Sequence, residues 1–225
     1  MSIILFIHGA LGSKNQFEKI ENSLDNKFET YSINLSGHGG NTFKNEFNIE
    51  NFSLEIIEWM DKSSLDKINI FGYSMGGYIG LWLMRYFPER IDKLFTYGTK
   101  LKWNKEEVLL QTKFLNPEIT ELKVPEYSMQ LKNVHGKENW KNVMLNTEKL
   151  MWSLATNHLE IEDFQMIKND VLLTLGSLDK MVTFEETKYV QNTLINSKVK
   201  VFENQPHQFE NVNFELLKSE IELFF

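Results

Sequence analysis

The chain has 225 residues, 42% of them apolar and 24% charged, with a formal net charge of −7 and no cysteine. Such a composition fits one folded α/β-sized domain, with room for an insertion, and excludes a disordered segment. The acidic balance, with no basic block, argues against nucleic acid or an anionic membrane as partner, and the lack of cysteine rules out disulfides, thiolate nucleophiles and cysteine-bound metal centres.

The N-terminus, "MSIILFIHGALGS", carries a short apolar run at 3–7 that reads as a buried strand. It has no basic flank and no small-residue cleavage signal, so it fails as a signal peptide. No stretch of the chain reaches the roughly 20 apolar residues of a membrane span. The expected location is the cytoplasm. Residues 15–24 follow as a helix, with Phe17, Ile20 and Leu24 at steps of three and four. A weaker strand at 29–35 leads into the glycine-rich "SGHGGN", and Phe52, Ile56, Ile57 and Met60 mark a helix over 52–60.

Further strands are expected at 67–72, 93–97 and 170–175, with a weaker one at 198–203, and helices at 75–87, 185–194 and 214–224. Alternation of this kind predicts a doubly wound, mostly parallel sheet with helices on both faces. Between 102 and 168 the alternation stops. Only helical patterns are found there, over 105–115, 118–133, 138–158 and 160–167, interrupted by Pro117 and Pro125. The simplest organisation is a core domain of residues 1–101 and 169–225, with 102–168 inserted as a helical cap over the carboxyl edge of the sheet.

The sequence "NIFGYSMGGY" places Ser74 between a predicted strand and a predicted helix, within Gly72-Tyr73-Ser74-Met75-Gly76. A G-x-S-x-G at such a junction lifts the serine Oγ above the sheet edge on a strained turn. The flanking glycines leave room for chains that pass too close for a Cβ. The competing reading makes Ser74 a helix N-cap in a glycine-rich turn.

A nucleophilic serine needs a base, and the base an orienting acid. Of five histidines, His207 in "ENQPHQFE" follows the last predicted strand and so sits at the same sheet edge as Ser74. His8 ends the first strand and reads as structural, His38 lies in a glycine-rich loop, and His135 and His158 fall in the helical block. Asp179, just past the strand 170–175 in "LLTLGSLDKMV", is the candidate acid; on its own the motif is more commonly an Asx turn, and the order Ser74, Asp179, His207 favours the acid. Asp170 and Asp92 begin strands and belong to the opposite edge, while Asp163 and Glu203 are weaker alternatives. For an oxyanion the expected donors are the backbone amides of Ala10, after "HG", and of Met75, after the serine.

With these residues assembled, the chain resembles the α/β-hydrolase superfamily, through "HGALGS", "SGHGGN", "GYSMGG", "GSLDKMV" and "PHQFE" in that order. It is similar to the small members with a helical cap, which include carboxylesterases, a pimeloyl-carrier-protein methyl esterase and a menaquinone-pathway lyase. The resemblance implies Ser74 as nucleophile, His207 as base, Asp179 as its orienter, and the Ala10 and Met75 amides as oxyanion donors. It also implies an esterase of the carboxylic-ester class acting on a small or medium acyl ester or thioester, with no cofactor and no metal, as a monomer or homodimer. Two other readings stand beside it: C–C bond hydrolysis or a lyase reaction, and a hydrolase-fold receptor or signalling protein. Sites of the lyase type usually hold carboxylates with cationic cap residues, and 102–168 contains no arginine, leaving lysines such as Lys113 or Lys132.

The sequence departs from the family in two places. Its first strand starts at residue 3, so the antiparallel strands that usually come first are expected to be missing. Asn34 and Ser36 stand where many members have Asp and Pro. Aromatic and sulfur-bearing residues of the cap, Trp103, Phe114, Tyr127, Met129, Trp140, Met144, Met151 and Trp152, are expected to form mainly its own core, with the remainder lining an apolar pocket.

Overall fold

Side chains along the central strands bury alternately toward two sides. In β1 (Ser2–Ile7), Leu5 and Ile7 join one apolar cluster and Ile4 and Phe6 the other. The same split recurs in β3 (Ile68–Tyr73), with Ile68 and Ile70 opposed to Phe71 and Tyr73, and in β5 (Asp170–Gly176), with Val171 and Leu173 opposed to Leu172. Strands buried on both faces are the mark of a sheet sandwiched by helices. The computed structural model describes residues 1–24 and 26–225.

All six expected strands form, the others being β2 (Phe28–Ser32), β4 (Ile91–Tyr97) and β6 (Ser197–Phe202). They make one sheet in the order β2-β1-β3-β4-β5-β6, and every pairing is parallel. On one face α1 (Glu18–Leu24) packs with α10 (Phe214–Phe224). On the other lie α2 (Ile49–Lys62), α3 (Met75–Tyr86) and, through Val190, α9 (Phe184–Gln191). The chain moves outward from β1 to β2, then returns across β1 to β3. That reversal opens a crevice at the carboxyl ends of β1 and β3, the usual ligand position in open α/β sheets.

Three expectations need correction. β2 stops at Ser32 instead of running to 35, because Asn34 turns to loop contacts, accepting from Lys14 N at 2.8 Å and donating to Gly39 O at 3.2 Å. The helix expected over 15–24 begins as a 3-10 turn, Lys14–Phe17, before α1. The helix expected over 118–133 is two helices, α5 (Pro117–Lys123) and α6 (Pro125–His135). Proline has no N–H to continue α5 but is well suited to the first turn of α6. The remaining helices between β4 and β5 are α4 (Lys105–Thr112), α7 (Trp140–Leu154) and α8 (Ile161–Met166).

Candidate active site

β3 ends at Tyr73 and α3 begins at Met75, leaving Ser74 alone in the bend with φ 51° and ψ −114°. A serine at positive φ is strained by roughly 1–3 kcal/mol and persists only where its surroundings hold it. Here its N–H donates to Tyr97 O at 2.8 Å and its carbonyl accepts from Thr99 Oγ1 at 3.0 Å. The end of β4 therefore clamps both sides of the bend. The glycines are steric necessities: a Cβ on Gly72 would lie 2.4 Å from Gly77 N, and one on Gly76 would lie 2.1 Å from Ile7 O. Ser74 occupies the N-cap position of α3, yet its side chain makes no capping hydrogen bond. Its hydroxyl is not engaged by its own helix.

Two strands away, Asp179 sits in the turn after β5 with its side chain fully buried. One carboxylate oxygen, Oδ1, accepts from the amides of Met181 at 2.8 Å and Val182 at 3.0 Å. The other, Oδ2, lies 2.7 Å from His207 Nδ1. The Asx turn and the histidine contact thus coexist, each on its own oxygen, and the turn aims the second oxygen. His207 follows β6 and is itself buried. Tyr97 donates from its hydroxyl to the carbonyl of Pro206, which anchors the histidine loop. Burial raises the Tyr97 hydroxyl well above its ordinary range, so it stays a neutral donor.

Ser74 and His207 line the same cavity, together with Ala10 and Met75. The loop after β1 abuts the bend so closely that a Cβ on Gly9 would lie 3.1 Å from Ser74 Cβ. Met75 heads α3, so its amide has no acceptor within the helix, and the positive end of the helix points the same way. The rest of the wall is mostly apolar, with Ile49, Tyr78, Trp103, Leu150, Met151 and Leu154 prominent. Only about 40 Å³ is open to the centres of water-sized molecules, room for a few atoms.

Several of these residues escaped the sequence reading. Gly98, at φ +62°, lies beneath the pair: a Cβ there would be 3.1 Å from His207 Nδ1 and 3.3 Å from Asp179 Oδ2. A glycine directly after a predicted strand was its only signal. Tyr97, Thr99, Leu150 and Leu154 gave none. Of the aromatic and methionine residues expected in the cap, Trp103 and Met151 reach the cavity. Trp140 and Met144 form a small core with Leu115 and Leu131, as expected, whereas Phe114, Tyr127, Met129 and Trp152 are exposed.

The alternative residues go elsewhere. Asp163 is paired with Arg85 at 2.9 Å, Asp92 with Lys67 at 3.0 Å, and Asp170 opens β5 at the far edge. Glu203 is exposed. His8, His38 and His135 form a buried group, with His8 and His38 ring centroids 4.8 Å apart and His38 and His135 5.7 Å apart. His8 spans Gly9 O at 2.9 Å and Leu35 N at 3.2 Å. His135 spans Leu11 O at 3.0 Å and Gly39 N at 3.1 Å, joining α6 to the loops after β1 and β2. Burial lowers all three, His8 to about 4. These imidazoles are neutral braces for the backbone. Among the described residues no helix is long and apolar enough to cross a membrane.

A family model described as "alpha/beta hydrolase fold" matches residues 2–118, more than half of the chain. The chain belongs to that family. Among individual proteins it is similar to a probable alcohol acetyltransferase of Wickerhamomyces anomalus, 30% identical over 90 residues, or 39% of this chain and 26% of that protein. It is also similar to a putative esterase/lipase of Haemophilus influenzae, 25% identical over 92 residues, or 41% of this chain and 32% of that protein. The matched stretch thus spans about a quarter to a third of these relatives. An esterase from Thermogutta terrifontis shares the fold with a TM-score of 0.80 at 16% identity, over 100% of this chain and 89% of its own.

Proposed function

We propose that this protein is a serine hydrolase that cleaves a small carboxylic ester, or a thioester, through an acyl-enzyme on Ser74. The observation that carries this reading is the Asp179–His207 hydrogen bond of 2.7 Å beside a cavity that Ser74 and His207 both line. With Nδ1 committed to Asp179, Nε2 is the nitrogen left to exchange a proton. Oγ of Ser74 attacks the substrate carbonyl carbon while its proton passes to Nε2 of His207. The carbonyl oxygen, now negative, is stabilised by the amides of Ala10 and Met75. Collapse breaks the bond to the leaving alcohol or thiol, which takes the proton from His207. Water then repeats the sequence on the acyl-enzyme and returns Ser74 to its free form.

The helices between β4 and β5 act as the cap in this reading, since Trp103, Gln111 and three residues of α7 contribute to the cavity wall. The tightness of that space and its apolar lining support a short acyl group. The similarity to alcohol acetyltransferases supports a second acceptor, an alcohol in place of water, with the same acyl-enzyme. A lyase acting on a carboxylated substrate is supported less. Lys100, the cation on the cavity wall, is already held by Glu107 and Glu186 at 2.8 Å each, and Lys132 is paired with Glu121.

The test is labelling with a fluorophosphonate, with the modified residue located by mass spectrometry, beside turnover of p-nitrophenyl acetate. Ser74 is expected to be the labelled residue. Absence of both label and turnover from folded protein would remove the hydrolase reading and leave a binding role. Ethanol added to the turnover assay is expected to divert part of the acetyl group to ethyl acetate.

A further inference from the structure

A second cavity, a cleft of about 490 Å³ that opens widely to solvent, adjoins the first. It is bounded by Leu159, Ile161 and Phe164 after α7, by Thr183 and Glu186 at the start of α9, and by Leu101 and Lys102 after β4. Trp103 lines both. The chain segments around it pass from one space to the other: Lys100 borders the small cavity and Leu101 the large one, Leu154 the small and Leu159 the large, Val182 the small and Thr183 the large. The indole is buried, meets Tyr78 edge-on with ring centroids 6.4 Å apart, and its Nε1–H has no partner among the described residues. An unpartnered buried donor at a wall between two spaces is unusual in a side chain that serves packing alone.

We infer that Trp103 is the specificity-determining residue of the Ser74 site: its indole closes the small cavity and limits the substrate to short aliphatic chains. This assignment, which rests on the ester-hydrolase reading for its kinetic consequence, makes the open cleft on the shared wall the room for a longer chain. Removing the indole joins the two spaces.

Trp103→Ala and Trp103→Phe are compared with wild type on p-nitrophenyl esters from two to eight acyl carbons and on acetates of alcohols from ethanol to octanol. Wild type is expected to lose kcat/KM steadily beyond four carbons. In Trp103→Ala the ratio of eight-carbon to two-carbon kcat/KM is expected to rise at least tenfold in one of the two series, and the series that responds identifies whether the acyl or the alcohol chain points at the wall. Trp103→Phe, which keeps an aromatic partition, is expected to stay within about threefold of the wild-type ratio and guards against a folding defect in the alanine variant. Calorimetric titration with n-octanoate and 1-octanol reads the same wall without turnover, and a tenfold gain in affinity is expected for one of them in Trp103→Ala. If wild type cleaves no ester but that affinity still rises, the hydrolase reading fails and the role of Trp103 stands. Unchanged ratios and unchanged affinities in folded Trp103→Ala, or an equal shift in Trp103→Phe, overturn it.

Discussion

Helix α3 and helix α4 both carry apolar side chains, but their surroundings treat them differently. In α3, ten of the twelve residues are buried. In α4 only Val108 of eight is, while Leu109 and Leu110 are 59% and 62% exposed. Phe114 and Leu122 nearby reach 75% and 80%. The helix behind Ser74 is pressed against β1, β3 and β4 at glycine spacing. The helices between β4 and β5 join the main core through residues such as Val108, Val143 and Leu150. Interiors packed at crystal-like density hold atoms to a fraction of an ångström, whereas thinly buried elements yield more easily. In the proposed hydrolase reading, chemistry falls to the densely packed half and substrate selection to the thinly buried one.

The sharpest way to break this comparison is at the serine. Ser74→Ala is expected to lower kcat for p-nitrophenyl acetate by about 10⁵–10⁶-fold while moving the melting temperature little, as the loss of a nucleophile does elsewhere. Comparable kcat in wild type and variant would remove Ser74 as the nucleophile. Asp179→Asn keeps the shape but removes the charge that orients His207, and a fall of about 10⁴-fold is expected in the same assay.

Next in size is the packing itself. Gly76→Ala drives a Cβ to 2.1 Å from Ile7 O, which neither backbone can relieve without moving β1 against α3. A loss of about 3 kcal/mol in urea unfolding is expected, since overpacking against main chain is costly. A neutral result would mean that the bend is looser than its contacts imply.

The buried imidazoles sharpen the contrast through pH. Burial holds the folded-state value for His8 at about 4 and pushes His38 and His135 below the ordinary 6.5. Between pH 6.5 and 4 the unfolded chain therefore binds more protons than the folded one, so stability is full above pH 6.5 and is lost as pH falls toward 4. His8 alone contributes on the order of 3 kcal/mol at the bottom of that window. Unfolding followed from pH 7.5 to 4.5 is expected to show this decline. A flat profile would place these rings in contact with water. The smallest effect is expected from Phe114→Ser, at an exposed position just after α4, within about 0.5 kcal/mol of wild type by urea unfolding. A larger loss would show that this surface is covered.

Much of the architecture was legible because it depends on neighbours in the chain. The apolar runs at 3–7 and 67–72 could only be buried strands, and Gly72-Tyr73-Ser74-Met75-Gly76 announced the bend through its steric needs. Asp179 and His207 could be selected because a strand end has a direction, and only residues past that end share an edge with Ser74. Gly98 and Tyr97 could not be singled out in the same way. Nothing near them in the chain requires a glycine beneath an imidazole from residue 207, or a hydroxyl that reaches Pro206. Phe114, Tyr127 and Trp152 are exposed for a related reason: helical spacing says which residues share a face, and not which face meets the sheet.

Sequence alone determined the order of strands and helices, the bend at Ser74, and the side of the sheet on which a serine, a histidine and an aspartate could meet. These follow from steric and hydrogen-bonding rules acting over a few residues. Tertiary structure alone decided the 2.7 Å contact between Asp179 and His207, the neutral brace of His8, His38 and His135, and the wall that Trp103 makes between two cavities. Each depends on where segments distant in the chain come to rest, and that is set by the packing of the whole molecule.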